Sequence, residues 1–156
     1  MPAAILLMFA HGVTIAMLFG LTDRIEQKTG TLDLRNLGGL ASLTPKLAFL
    51  FGLAAMASIG LPGLANFAGE VMVFIAGFRG WQADSGLGPV QIATIIALWG
   101  LVISAVYMLR AYRRTFQGSG GSHIENAEDL SANERRPAIF LACLLYTSDA
   151  ADDVRG

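Results

Sequence analysis

Charge is scarce in this chain. Acidic and basic residues together make up 15% of its 156 residues, against about 25% in an ordinary water-soluble domain. Hydrophobic residues make up 54%; with glycine counted, the apolar share is well above the roughly 45–50% of soluble chains, which all but excludes a water-soluble globule. The shortage has no sign: 11 Lys and Arg against 12 Asp and Glu leave a net charge of -1. There is neither a basic footprint for nucleic acid nor an acidic tail, and DNA and RNA drop out as partners. Cysteine is almost absent. Cys143 alone can form no internal disulfide and no Cys-rich metal cage, and the two histidines, His11 and His123, stand in unrelated contexts that make no zinc site. No glycine loop after a strand cradles phosphate, no nucleophile-base pair is legible, and no Cys or His cluster could hold haem or an iron-sulfur centre. Redox chemistry within this chain is not expected.

Charge is absent altogether from long stretches. Pro2 to Leu21 contains no Lys, Arg, Asp or Glu, and its length matches the roughly 20 residues a helix needs to cross about 30 Å of hydrocarbon. It reads as a membrane span. A secretory leader would want basic residues before the apolar run and a small-x-small cleavage site after it, whereas Met1 is followed by Pro2-Ala3-Ala4. The polar connection from Thr22 to Lys46 belongs in water or headgroups. Within it Leu32, Leu34, Leu37, Leu40 and Leu43 surround Gly38 and Gly39; the pattern suits a segment skimming the interface, and the glycines argue against a regular amphipathic helix.

The second run, Leu47 to Phe78, is too long for a straight crossing: at about 1.5 Å per residue it would reach ~48 Å. Gly60-Leu61-Pro62-Gly63 breaks it, because Pro62 lacks a helical donor and the glycines accept dihedrals other residues resist. A hairpin of two short crossings and one crossing made of two half-helices are both open. Charge placement selects the second. Arg24, Lys28, Arg35 and Lys46 lie before the run, Arg110, Arg113, Arg114, Arg135 and Arg136 lie later, and the stretch from Gly80 to Pro89 carries none, with Arg79 at its edge. A single broken crossing puts both basic loops on one side, as the positive-inside rule wants. The next span is expected from about Val90 to Leu109, with Trp81 and Tyr107 near its boundaries as interfacial aromatics. Gln117 to Ser122 reads as a flexible turn and His123 to Arg136 as a solvated connection. Ser131 and Glu134 have the spacing of a capping box before a fourth apolar run opening at Pro137, which stops after Tyr146. The fold class expected is all-α, a polytopic membrane helix bundle with one discontinuous transmembrane helix.

Within the three runs the only Asp, Glu, Lys or Arg is Glu70. An ionisable group at membrane depth costs about 2.5–3.5 kcal/mol on insertion scales, so it normally faces a protein interior or wet cavity and marks an ion path. Glu70 lies on the half-helix after the break, where discontinuous membrane helices carry ion-handling groups. Its plainer reading is a structural carboxyl held by a neighbouring subunit or by free backbone amides at the break. His11, midway along the first span, has an intrinsic pKa that fits a relay, and equally fits a packing residue. Thr14 could hydrogen-bond in the same polar stripe or satisfy its own helix. Ser58 and Asn66 flank the break and read as structural supports for its backbone. Arg110, Arg113 and Arg114 read as headgroup anchors, and His123 as a solvated loop residue.

At these residues a family resemblance emerges. His11-Gly12-Val13-Thr14-Ile15-Ala16-Met17-Leu18-Phe19, Gly38-Gly39-Leu40 and Ala57-Ser58-Ile59-Gly60-Leu61-Pro62-Gly63-Leu64-Ala65-Asn66-Phe67-Ala68-Gly69-Glu70 resemble the subunit M family of proton-pumping NADH-quinone oxidoreductase, respiratory complex I, whose mitochondrial counterpart is NADH dehydrogenase subunit 4. The likeness continues through Ser104 to Leu109 and into Asp129-Leu130-Ser131. It implies an antiporter-like subunit of which residues 1–142 are a C-terminal fragment. It also implies that the positions of Glu70 and His11 belong to a central polar axis for protons, catalytic in the sense of relaying them. Cofactors would sit in partner subunits: NADH, FMN, iron-sulfur clusters and quinone, with none in this chain. The partners implied are other membrane-arm subunits, especially neighbouring antiporter-like ones, and the lipid bilayer, in an energy-coupling membrane such as a bacterial inner membrane. Related sodium/proton antiporter subunits usually carry lysine where Glu70 stands, so glutamate favours subunit M. The family's buried lysines and glutamate on earlier helices are absent. The run from Cys143 to Gly156 resembles the translation of a sequencing adapter and is set aside as a non-native tail.

Overall fold

The computed structural model describes residues 2–82, 86–119, 124 and 127–153. Regular structure among them is entirely helical: α1 (Pro2–Thr29), α2 (Pro45–Ser58), α3 (Ala65–Gly77), α4 (Pro89–Phe116) and α5 (Ala132–Asp153), with one 3-10 turn at Leu40–Ser42. The all-α expectation holds. α1 and α4 are each long and apolar enough to cross a membrane, whereas α2 and α3 are shorter apolar helices, each reaching only ~20 Å at about 1.5 Å per residue.

Helix starts follow local chemistry. Pro45 and Pro89 stand in the first turns of α2 and α4, where a missing N–H costs nothing and the fixed φ is already helical. α5 opens on the expected capping box: the Ser131 N–H donates to Glu134 Oε2 at 2.8 Å and the Glu134 N–H to Ser131 Oγ at 3.4 Å. That cap sets the start at Ala132, so Pro137 lies inside the helix rather than opening it.

Two helices outrun the boundaries expected from hydropathy. α1 continues past Leu21 to Thr29 because Leu21 and Ile25 stay buried while Asp23, Arg24 and Gln27 join on the outer face. Arg24 donates to Gln27 Oε1 at 2.6 Å, and the Gln27 amide donates to Asp23 Oδ2 at 2.8 Å. α4 continues past Leu109 to Phe116, whose buried ring lies 5.3 Å from Phe51 of α2 and 5.0 Å from Tyr112. Tyr107 lies within α4, ahead of its last turns. Of the leucines between α1 and α2, Leu37 and Leu40 are buried in the core while Leu32, Leu34 and Leu43 are exposed.

One end of the bundle is clasped by polar contacts across distant segments. The Gly39 N–H donates to the Gln117 carbonyl at 3.1 Å. The Asp129 carboxylate accepts from the Lys46 and Leu47 N–H groups, each at 3.2 Å, and so caps α2 from outside; Thr44, beside it, instead donates to the Leu40 carbonyl. Arg24 and Lys28 of α1 pair with Glu134 of α5 at 3.7 and 3.6 Å. At the C-terminal end of α3, the Gln91 amide of α4 donates to the Gly77 carbonyl at 3.0 Å. α1 packs against α2, α3 and α5, whereas α2 and α3 touch each other little. The core, with Met17, Leu21, Leu40, Leu47, Phe116 and Leu130, lies toward the clasped end.

Candidate functional site

Between α2 and α3 the chain leaves helical geometry at residues 59–64. The exit is a Schellman turn: the Leu61 N–H donates to the Met56 carbonyl and the Gly60 N–H to the Ala57 carbonyl, both at 3.2 Å. Gly60 has φ +68° and Gly63 φ +90°, conformations that cost a residue with a Cβ about 1–2 kcal/mol. Gly60, Pro62 and Gly63 lie between the end of α2 at Ser58 and the start of α3 at Ala65.

Glu70 reaches back to the break. It lies on α3 and is partly buried. A Cβ on Gly60 would collide with Glu70 Oε2 and come within 2.8 Å of its Cδ. The absent side chain at Gly60 therefore makes the space the carboxyl occupies. Among the described residues Glu70 has no hydrogen-bond or ion-pair partner.

Asn66, one helical turn before Glu70, is almost fully buried. Its amide donates to the Ala57 carbonyl at 2.8 Å and to Thr14 Oγ1 on α1 at 3.3 Å. The Ala57 oxygen thus uses both lone pairs, one on the Gly60 N–H and one on Asn66. Thr14 is buried too and donates to the Ala10 carbonyl at 2.8 Å, the role of satisfying its own helix, while its oxygen accepts from Asn66 on α3. The Asn66 Oδ1 is buried with no partner among the described residues, an uncommon condition for a buried acceptor. Close to this link α1 and α3 approach tightly, because a Cβ on Gly69 would lie 2.8 Å from Leu7 Cβ and 3.2 Å from its Cα.

His11 is exposed on α1 and makes no hydrogen bond to Glu70. The two residues read as a relay are thus on adjacent packed helices; the Asn66–Thr14 bond links those helices, and neither His11 nor Glu70 takes part in it. The Ser58 hydroxyl makes no hydrogen bond among the described residues, so of the two expected supports for the break only the Asn66 side chain acts as one. Asp129 escaped notice as a clasp because its partners lie some eighty positions earlier in the chain; Asn66 carried a legible signal in its one-turn spacing from Glu70. Arg110, Arg113 and Arg114 line a cleft at the end of α4. His123 lies outside the described residues. No three His, Cys, Asp or Glu side chains gather among the described residues, so these residues offer no donor set for a metal or iron-sulfur cluster.

A protein-family model described as NADH:quinone oxidoreductase/Mrp antiporter, TM, matches residues 1–96. The NAD(P)H-quinone oxidoreductase chain 4 1 of Trichormus variabilis is 33% identical over 145 residues, covering 93% of this chain and 27% of the relative. The corresponding chain 4 of Acaryochloris marina is 35% identical over 145 residues, with the same coverage. The chain thus spans about a quarter of the length of these relatives. Among solved structures, respiratory complex I from Thermus thermophilus with bound NADH matches 94% of this chain and 32% of its own, at a TM-score of 0.70 and 28% identity. The archaeal membrane-bound sulfane sulfur reductase shares the fold at a TM-score of 0.72 and 23% identity. The chain belongs to the NADH:quinone oxidoreductase/Mrp antiporter transmembrane family.

Proposed function

We propose that this chain is part of a proton-translocating membrane subunit of an NADH-quinone oxidoreductase, in which Glu70 takes up and releases the proton and His11 relays it along the membrane midplane. The observation that carries this reading is the Glu70 carboxyl, the only acid within the apolar runs, lodged against Gly60 in the break and bonded to neither a cation nor a backbone amide among the described residues. A carboxyl held by the break's own amides, the structural alternative, would accept hydrogen bonds there.

The same reading takes α2 and α3 as one discontinuous crossing. Each is too short for about 30 Å of hydrocarbon, while end to end they exceed it. In support, α2 begins at the clasped end through Asp129, α3 ends beside α4 through Gln91, and the two pack on α1 more than on each other. Both basic loops then share one side of the membrane, as in the positive-inside pattern. The membrane is an energy-coupling one, bacterial inner membrane in the first instance. Electron transfer through NADH, FMN, iron-sulfur clusters and quinone is assigned to partner subunits, and this chain acts without a redox centre of its own.

Glu70→Gln in the complete subunit, with assembly verified, should lower protons moved per NADH oxidised while leaving the assembled complex intact. Unchanged pumping rejects the role. A loss of assembly and activity together, or of neither, fits instead a scaffold in which Glu70 only fixes packing. A sodium/proton antiporter subunit is the second reading, favoured by the family description itself; redox-subunit genes beside this one decide for the oxidoreductase, and antiporter genes decide against it.

A further inference from the structure

At the clasped end several basic side chains are paired with carboxylates. Arg24 and Lys28 pair with Glu134, Arg35 with Asp33 and Lys46 with Asp129. Arg110, Arg113 and Arg114 have no carboxylate partner among the described residues. They line a cleft of about 730 Å³ together with Val106, Gln117 and Gly118. Their spacing puts all three on one side of α4, since residues three and four apart are helix neighbours.

The same spacing continues backward in apolar residues. Trp99, Val102, Ile103 and Val106 lead up to Arg110 and are exposed by 66%, 54%, 63% and 62%, and the apolar stretch of α4 is uncovered along its length. An apolar stripe therefore ends in three guanidinium groups where a long apolar helix leaves the hydrocarbon. That sequence of chemistries matches a phospholipid lying along the helix, with acyl chain below and phosphate above. Arginine recognises phosphate in two-pronged geometry, and basic pockets at helix ends bind anionic headgroups. A partner protein helix would have to bring carboxylates of its own to meet the three cations, whereas an anionic lipid supplies apolar chain and phosphate together.

We propose that this cleft binds one anionic phospholipid, its phosphate on Arg110, Arg113 and Arg114 and its acyl chain along Trp99 to Val106. The test uses the assembled complex carrying the complete subunit, reconstituted in nanodiscs of phosphatidylcholine with or without phosphatidylglycerol, and reads retained lipid by native mass spectrometry. Phosphatidylglycerol should be retained in preference to phosphatidylcholine. Each Arg→Gln change should weaken retention by roughly fivefold, and raised salt should weaken it further. Arg→Lys changes at the same positions should keep more of it than Arg→Gln, losing the two-pronged contact but not the charge, which separates lost charge from a damaged fold. A photoreactive acyl-chain analogue of phosphatidylglycerol should label the stretch from Trp99 to Val106. The proposal is overturned if the triple Gln variant retains the lipid undiminished, if both lipids are retained alike, or if label lands on α4 of no complex. It is likewise overturned if inorganic phosphate alone occupies the arginines and excludes the lipid, or if the arginines cross-link to a carboxylate elsewhere in the complete subunit.

Discussion

Gly60 carries two requirements that a single substitution can separate. Its φ of +68° demands a residue without a Cβ, and so does Gly63 at +90°, but only at Gly60 would a Cβ meet the Glu70 carboxyl; at Gly63 nothing lies within 4 Å. Gly60→Ala and Gly63→Ala should therefore each cost about 1–2 kcal/mol from backbone strain, read as similar drops in the Tm of the assembled complex. If Glu70 carries the proton as proposed, only Gly60→Ala should also lower protons moved per NADH, because only there is the carboxyl displaced. Equal pumping by the two variants would uncouple the glycine from the acid. Asn66, beside them, shows why a polar residue survives in an apolar bundle. Its amide supplies donors to a carbonyl at the broken helix end and to Thr14, and losing buried hydrogen bonds of this kind costs about 1–3 kcal/mol.

At the scale of elements, the contact of α1 with α3 depends on glycine at the crossing. Leu7 presses backbone and Cβ against Gly69, so Gly69→Ala should force the helices apart and cost about 1–3 kcal/mol through overpacking. Leu7→Gly in the same chain removes the obstructing Cβ, and the pair should show favourable coupling in a double-mutant cycle on thermal stability. Strictly additive effects would mean that the two helices do not meet there. The separation of α2 from α3 was legible beforehand in Gly60, Pro62 and Gly63, since these residues act on their own backbone. The ends of α1 and α4 were not. Hydropathy marks where a helix leaves hydrocarbon, whereas Ile25, Tyr112 and Phe116 continue each helix by packing against other segments.

Across the whole molecule, the clasp joins α1, α2, the segment before α5 and α5 itself through two carboxylates. Hydrogen bonds from Ser131, with Lys28 and Arg24 nearby, pull the Glu134 pKa down to about 2. Partial burial pushes Asp129 up, but the N–H groups of Leu130, Lys46 and Leu47 and the Lys46 charge outweigh it and hold its carboxyl below the usual aspartate value. Both folded-state values lie below their unfolded ones, so the stability they contribute is present above about pH 4.5 and is lost as pH falls through the folded values. Asp129→Ala should destabilise the complex at neutral pH by about 0.5–2 kcal/mol, the worth of a helix cap. The Tm gap to the unaltered protein should narrow as pH is lowered from about 5 toward 2; a gap independent of pH would remove the carboxylate's charge from the clasp.

The sequence by itself determined what local chemistry can determine: an all-helical chain of membrane character, a stop between α2 and α3 at residues 59–64, a capping box at Ser131 and Glu134, and a single acid, Glu70, within the apolar runs. Hydropathy, backbone freedom and cap spacing act within a turn or two of the residues that carry them. Only the tertiary structure decided that Glu70 folds back onto Gly60, that Asn66 binds Thr14 while the Ser58 hydroxyl binds nothing among the described residues, and that Asp129 caps a helix distant in the chain. Those outcomes depend on which helices become neighbours and at what register, and such choices are made by the packing of the whole bundle.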